Sequence, residues 1–272
     1  MPIDVEAAVV SNTTLSDDFN VLSLDAPGIA EAAQPGQFVM IKANDGTDPL
    51  LRRPFSIFQV LRDAAGRRTG FTVLNKRIGR GTSRLFDAAR GARIACLGPL
   101  GRPFDLVAPG AEAWMVAGGV GLAPFATLAE ALRERGTPMT LFYGARRACE
   151  LFFVELFEQL GVRVVLATED GSRGDHGRVT VPLKRALQQG GASARLFACG
   201  PTPMMNAVAA LARAHGRPCT VSLEQVMGCG LGGCYSCVVG VRAEDGRTHL
   251  VRSCVDGPVF DARQIAWEEL VH

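Results

Sequence analysis

The sequence predicts a multidomain β plus α/β protein: an N-terminal antiparallel barrel, a five-stranded parallel doubly wound domain, and a small cysteine-rich C-terminal domain. Three observations predict it. Up to Leu97, short β-rich stretches alternate with turn-formers; after Pro109-Gly110, apolar strands alternate with helical stretches; and four of the eight cysteines gather as Cys229-x4-Cys234-x2-Cys237, with Cys254 beyond. The boundaries drawn from these shifts are residues 1–109, 110–218 and 219–272.

A hydrophobic content of 47% over 272 residues suits packed globular domains. The 29 Lys and Arg nearly balance 27 Asp and Glu, and no block of like charge forms a basic stripe or acidic tail. Nothing therefore asks for nucleic acid or another polyanion. The opening Met-Pro-Ile-Asp-Val-Glu lacks a basic and then apolar leader, so no signal peptide is expected. The longest apolar run, from Trp114 to Ala129, is broken by Gly118, Gly119, Gly121 and Pro124 and falls short of the ~20 residues of a membrane span. It reads as buried strand, loop and helix.

In the first segment, strands are expected over 19–24, 38–43, 55–61, 71–74 and 93–97. They are separated by Pro35-Gly36, Asn44-Asp45-Gly46 and Ala65-Gly66, and a short helix spans 82–89. Strands at this spacing read as a small antiparallel barrel. In the second segment, strands over 114–117, 139–143, 162–167, 195–199 and 218–222 alternate with helices over 125–135, 151–160, 179–189 and 204–214. Right-handed crossovers then give a parallel sheet of order 3-2-1-4-5, with ligands at the carboxyl ends of its strands. The third segment has too little apolar material for a core of its own.

The barrel carries two phosphate-suited elements. Arg52-Arg53-Pro54-Phe55-Ser56-Ile57 offers guanidiniums for a diphosphate, a hydroxyl for a ring edge, and an aromatic face; alone, the same stretch reads equally as a solvated turn. Further on, Leu74-Asn75-Lys76 ends a strand and Gly79-Arg80-Gly81-Thr82 opens a helix whose N–H groups suit phosphate. Together they point to a flavin on Arg53, Pro54, Phe55, Ser56, Leu74, Asn75, Lys76, Gly81 and Thr82.

In the second segment, Gly118-Gly119-Val120-Gly121-Leu122-Ala123-Pro124 lies between a strand and a helix. Glycines let backbone approach a pyrophosphate, and Pro124 suits a first helical turn because its missing N–H is not needed there. Cys199-Gly200-Pro201 ends the fourth strand, beside that loop across the switch point where a nicotinamide sits; the alternative is a plain strand-to-helix turn with a buried thiol. Glu169 and Asp170 end the third strand and suit a free ribose 2′-hydroxyl, whereas Arg146 and Arg147 suit a 2′-phosphate. His176, His215, His249 and His272 show no metal-like spacing and read as surface residues.

The cysteine spacing is that of plant-type 2Fe-2S ligands, three thiolates converging from one tight loop and a fourth arriving separately. Gly228, Gly230, Gly232 and Gly233 let the loop turn and leave amides free to point at sulfur. A zinc ribbon usually shows two Cys-x2-Cys knuckles, and here only Cys234-x2-Cys237 has that form. Cys229, Cys234, Cys237 and Cys254 are the expected ligands. Cys96, Cys149, Cys199 and Cys219 read as buried small hydrophobes. Free thiols and a cluster fit a reducing cytoplasm.

In this order, Arg53-Pro54-Phe55-Ser56, Gly81-Thr82, Gly118-Gly119-Val120-Gly121, Cys199-Gly200-Pro201 and the four cysteines resemble the ferredoxin-reductase-like flavoproteins. With its cluster motif at the C-terminus, the chain is similar over essentially its whole length to the electron-transfer subunits of bacterial NAD-linked dihydroorotate dehydrogenases. Residues Met227 to Cys234 are the most specific piece. Two departures are Phe55, where an aliphatic residue is common, and Asn75, where an aromatic one is common.

The resemblance implies FAD in the barrel, NAD on the doubly wound domain and a 2Fe-2S cluster at the C-terminus, with no general acid or base of the chain's own. It also implies a separate FMN-containing catalytic subunit with the dihydroorotate site, two copies of each chain, and electron flow through FMN, cluster and FAD to NAD in pyrimidine biosynthesis. Two other readings stay open. One is an NAD(P)H-dependent flavin/iron-sulfur reductase of ferredoxin-NADP or hydrogenase type; the other is a zinc-stabilised nucleotide-binding regulator.

Overall fold

The computed structural model describes residues 1–43, 46–243 and 245–270. The turn expected at Asn44 and Asp45, and His272, lie outside these residues. The first sheet contains β1 (Ile3–Thr14), β2 (Phe19–Asp25), β3 (Phe38–Lys42), β4 (Arg53–Ser56), β5 (Gln59–Arg62), β6 (Arg68–Lys76) and β7 (Arg93–Leu100). They pair antiparallel in the order β4-β3-β7-β1-β2-β6-β5. The short helices α1 (Pro27–Ala32) and α2 (Arg80–Phe86) accompany them.

The strand expected over 55–61 is two strands. At Ile57 and Phe58 the chain leaves the edge beside β3 for the edge beside β6; the Ile57 N–H donates to the Gln37 carbonyl at 3.0 Å and the Phe58 N–H to the Thr72 carbonyl at 2.9 Å. Consecutive residues thus hold both edges, and the sheet curls closed. β1 escaped the sequence pattern because only Ala7 and Val9 of its residues are buried, which leaves little alternation to see.

β3 shows why an apolar run can belong to a single strand. Its Val39 and Ile41 face the barrel core, while Phe38 and Met40 face outward into a cluster with Leu97, Leu100, Met227, Cys237 and Cys254. The strand is buried on both faces because the C-terminal segment covers its outer one.

The second sheet contains β8 (Glu112–Gly118), β9 (Met139–Ala145), β10 (Arg163–Thr168), β11 (Asp175–His176), β12 (Ala194–Cys199) and β13 (Cys219–Ser222), with helices α3 (Ala123–Glu134), α4 (Val154–Gln159), α5 (Thr180–Gln189) and α6 (Thr202–Ala214). The five expected strands stand in the expected order, β10-β9-β8-β12-β13, and all are parallel. Two short strands extend the sheet, β11 at one edge and β16 (Val259–Asp261) at the other. α3 has eight buried residues from Ala123 to Leu132, and Phe125 stacks at 6.0 Å on Phe104 of the linker between the two sheets.

The C-terminal segment adds the hairpin β14 (Val238–Arg242) and β15 (Thr248–Arg252) and the single turn α7 (Ser253–Asp256). β13 begins at Cys219, so the parallel sheet runs on past residue 218, and β16 returns antiparallel to it with Ser222 opposite Val259. As its composition suggested, this segment shares cores rather than building one. Val239, Phe260, Ala262, Ile265 and Leu270 pack with the second sheet, and Met227, Cys237 and Cys254 pack with the first.

Candidate functional site

A cleft of about 290 Å³ opens where the three parts of the chain meet. Phe38, Arg53, Pro54, Phe55, Ser56, Leu74, Lys76, Ile78 and Thr82 wall it from the barrel; Val120, Ala123 and Cys199 from the sheet; and Ser222 to Gln225, Met227 and Pro258 from the C-terminal segment. Its walls are mainly apolar with a few convergent polar groups, as cofactor sites are.

The expected barrel residues divide. Arg53 reaches the cleft, steadied by bonds from its guanidinium to the carbonyls of Leu51 at 2.8 Å and Arg52 at 3.2 Å. Gly81 backs it, since a Cβ there would lie 3.5 Å from Arg53 Cγ. Arg52 instead grips both carboxylate oxygens of Asp4 at 2.8 and 2.9 Å. The Thr82 hydroxyl accepts from the amides of Ile78 and Gly79 at 2.9 and 3.0 Å, so it builds the loop entering α2.

Asn75, expected among the cofactor residues, is instead fully buried and outside the cleft. Its side-chain amide donates to Asn20 Oδ1 at 2.7 Å and to the Thr82 carbonyl at 2.9 Å, while Asn20 donates to Asn12. The Asn12 amide donates in turn to the Leu85, Phe86 and Ala88 carbonyls at the end of α2. This ladder ties α2 to three adjacent strands. It explains an asparagine where an aromatic residue is common.

On the sheet side, the glycine loop forms a 3-10 turn, Gly119–Leu122, running into α3 with Pro124 in its first turn. Its glycines do different work. Gly119 has φ +55° and open space where a side chain would stand. A Cβ on Gly121 would collide with the Cys199 carbonyl, so this residue serves the contact between two strand ends rather than an incoming pyrophosphate. Gly118 meets Met204 and Pro201 in the same way, and Gly200, at φ +146°, lies against Gly118. The expected apposition of the first and fourth strand ends is therefore present.

Burial raises the Cys199 thiol well above its usual value; Glu224 adds to the shift and Ser222 opposes it. Glu224 itself is reached by solvent through the open cleft, yet it is surrounded closely enough that burial raises its carboxyl, against the attraction of Lys76. Sequence reasoning passed over Glu224. The signal was available, because it follows directly on the carboxyl end of the fifth parallel strand.

In the turn after β10, Asp170 Oδ1 accepts from the Ser172 amide at 3.0 Å and hydroxyl at 2.6 Å, which lowers its pKa. Its carboxylate is engaged in the turn. Glu169 is exposed and makes no side-chain bond among the described residues. The Asp170 N–H donates to the Arg146 carbonyl at 3.2 Å, and Arg147 pairs with Glu150 at 3.3 Å.

The four cysteines of the C-terminal loop fall into two pairs. The Cys229 thiol is a hydrogen-bonding neighbour of Cys234, and the Cys254 thiol of Cys237, with all four free. Burial pushes Cys229 up, but the amides of Leu231, Cys234 and Gly233 and the Cys234 thiol outweigh it and bring the pKa down to about 7. Burial and then the Cys237 thiol push Cys254 to about 12. Among the described residues no three Cys, His, Asp or Glu side chains converge on one point. Two thiol pairs fit a centre of two metals, each taking two sulfurs, better than one tetrahedral zinc. Gly230 is held close because a Cβ there would touch Met40 at 2.5 Å. Of the other cysteines, Cys96, Cys199 and Cys219 are buried as expected, but Cys149 is exposed, at the polar turn after β9.

Comparison with known proteins decides the family. Residues 224–266 match the iron-sulfur cluster binding domain of dihydroorotate dehydrogenase B, and residues 115–210 match the oxidoreductase NAD-binding domain. The electron transfer subunit of NAD-dependent dihydroorotate dehydrogenase B from Desulforamulus reducens is 36% identical over 97% of this chain and 98% of its own length. That from Geobacillus thermodenitrificans is 37% identical over 94% and 96%. The chain belongs to this family. Among solved structures, an NADH-dependent reduced ferredoxin-NADP oxidoreductase superposes with a TM-score of 0.85 at 30% identity, over 98% of this chain and 91% of that one. That reductase and this chain thus share one fold over nearly their whole lengths. No helix among the described residues is long and apolar enough to cross a membrane.

Proposed function

We propose that the chain is an electron carrier between a catalytic dihydroorotate dehydrogenase subunit containing FMN and NAD, in pyrimidine biosynthesis in the cytoplasm. It binds FAD in the cleft, a 2Fe-2S cluster on Cys229, Cys234, Cys237 and Cys254, and NAD at the carboxyl ends of the parallel strands. One observation carries the reading: barrel, sheet and cysteine segment all wall one cleft, so a cofactor there touches both the nucleotide side and the cluster side. When bound, FAD exchanges two electrons with NAD and one at a time with a cluster, which joins the two kinds of carrier.

The chain's own residues bind and orient. Arg53 presents a forked cation for the flavin diphosphate, with Ser56 and Lys76 near the ring and Phe55, Leu74 and Val120 excluding water. Gly119 leaves room for the coenzyme pyrophosphate, with Pro124 behind it, while Gly118, Gly121, Gly200 and Pro201 bring Cys199 and the loop together. Glu169, with no side-chain partner among the described residues, suits the ribose of NAD, and Asp170 holds the turn that presents it. Around the cysteines, Val226, Leu231, Tyr235 and Val255 are exposed apolar residues, 81%, 57%, 65% and 40% accessible. Such a patch suits a partner subunit over the cluster, in an assembly of two copies of each chain.

The similarity to a ferredoxin-NADP oxidoreductase favours a second reading, in which the cluster serves a different donor. Co-expression with the catalytic subunit separates the two. The first reading expects a complex with flavin and 2Fe-2S absorption that reduces NAD with dihydroorotate and prefers NAD to NADP in kcat/KM. A chain that carries the cofactors but never associates with that subunit supports the second.

A further inference from the structure

The loop over residues 146–153 reaches across the molecule in a way that cofactor binding leaves unexplained. At its base, the Ala148 N–H donates to Ser172 Oγ at 2.8 Å, which ties it to the Glu169–Gly171 turn. The Tyr143 hydroxyl, fully buried, donates to the Glu150 carbonyl at 3.2 Å and accepts from the Phe152 N–H at 3.4 Å. At its tip, two rings cross to the barrel: Phe152 meets Phe19 at 5.1 Å and Phe153 meets Phe58 at 4.7 Å.

Both barrel partners adjoin the cleft. Phe58 sits at the crossover just after Arg53–Ser56, and Phe19 carries on its ring the ammonium of Lys76, 5.4 Å from the centroid. Phe153 is also one of only two non-glycine residues with positive φ among those described, at +59°. That conformation is strained for a residue with a side chain and persists where surroundings enforce it. Here the turn at Tyr143 and the ring on Phe58 enforce it together.

Resting on the proposed function, we propose that Phe152 and Phe153 form a strap that positions the coenzyme half of the molecule against the flavin half. Neither ring is among the residues that line the cleft. They link the turn where the adenosine ribose is read to the two barrel residues that flank Lys76 and Ser56. The strap thereby fixes the separation across which NADH and flavin react, and coenzyme binding at its base is felt at Phe58.

The test uses the full chain loaded with FAD and cluster, in complex with its catalytic subunit, as wild type and as Phe153→Ala, Phe153→Tyr and Phe152→Ala. Flavin reduction by NADH and by its 4-deuterated form is followed in a stopped-flow instrument. A separate readout is amide hydrogen exchange at residues 57–60 with and without NAD. Because an ångström of misplacement costs up to about 100-fold, Phe153→Ala should slow flavin reduction by roughly tenfold or more and enlarge the isotope effect. Flavin content should hold, and Phe153→Tyr should restore the rate. NAD should protect residues 57–60 in the wild type and not in Phe153→Ala. Phe152→Ala, acting on the other barrel strand, should repeat the pattern if Phe153→Ala loses flavin. An unchanged rate, isotope effect and exchange pattern, with only a lower Tm, overturns the strap. So does slowing that merely tracks lost flavin in both alanine variants. A wild type whose flavin NADH does not reduce would instead overturn the proposed function.

Discussion

On the proposed function, the barrel and the cysteine loop meet the same task, holding a redox group, in opposite ways. The barrel closes on its own hydrogen bonds and a core of residues such as Leu22, Leu24, Val39 and Phe71, and its cofactor wall is an outer feature of a finished fold. Residues 224–256 have no such interior. Glycines, thiols and one short hairpin lie between two borrowed cores, and the Cys237 and Cys254 sulfurs occupy places where side chains would otherwise pack. In the first region the fold makes the site; in the second the bound group must help make the fold.

The largest expected effect breaks that contrast directly. Cys237→Ser removes a buried thiol proposed as a ligand, and iron content should fall to a small fraction of wild type. Limited proteolysis should then cut within 224–256 while leaving β16 and residues 259–270 protected, because those pack with the second sheet. This narrows the expectation from composition that everything after about residue 219 depends on the cluster. Cleavage extending into β13 would restore the broader view.

Next is the barrel wall. Arg53→Ala should weaken FAD binding by about tenfold or more, since hydrogen bonds to charged groups are worth about 1.5–3 kcal/mol. Arg53→Lys should lie between Ala and wild type, because a point charge does not reproduce a fork. The fold should survive in both, as judged by unfolding of the apo chain. Equal FAD occupancy in all three would move the flavin elsewhere.

The glycine loop sharpens the comparison at a finer scale. Gly121→Ala forces a methyl against the Cys199 carbonyl and should lower stability by about 1–3 kcal/mol. Gly119→Ala has room but a left-handed backbone, so it should cost about 1 kcal/mol and weaken coenzyme binding while flavin stays bound. Calorimetric unfolding and NAD titration distinguish them. Identical profiles would mean the loop acts as one unit.

The smallest effect belongs to Glu224, on the seam between the regions. Its carboxyl is raised in the folded chain, so the folded state holds its proton more tightly than the unfolded state does. That contribution is fully present below the ordinary carboxylate range and is lost as pH rises through the folded value. Relative to Glu224→Gln, the wild-type apo chain should therefore lose Tm as pH rises above the ordinary carboxylate range. A parallel pair of Tm curves would show that solvent in the cleft screens the group completely.

Much of this was readable in the sequence because it rests on local rules. The sheet order follows from strand–helix alternation, and the grouping of Cys229, Cys234, Cys237 and Cys254 was visible as one loop and one later residue. Contacts across the molecule left weaker traces. Asn75 looked like a cleft residue because it sits between two that are, and only its neighbours on β1 and β2 show it pointing into a ladder. Gly121 looked like Gly119 until Cys199 came to lie against it. Met40 gave an apolar run but no hint that Gly230, far along the chain, covers it. Such pairings depend on which strand lands beside which, and the linear pattern carries them only faintly.

The return of β16 beside β13 gives the chain an unusual connectivity. Ser222 and Val259 face each other, so everything from 223 to 258 leaves and rejoins the sheet at one point. In architectural terms the cysteine loop is an elaborated hairpin connection. A two-residue turn could close the same strands. Topologically the loop could be gained or shed there without rethreading the remainder, although its loss would uncover Phe38 and Met40 on β3 and open one wall of the cleft.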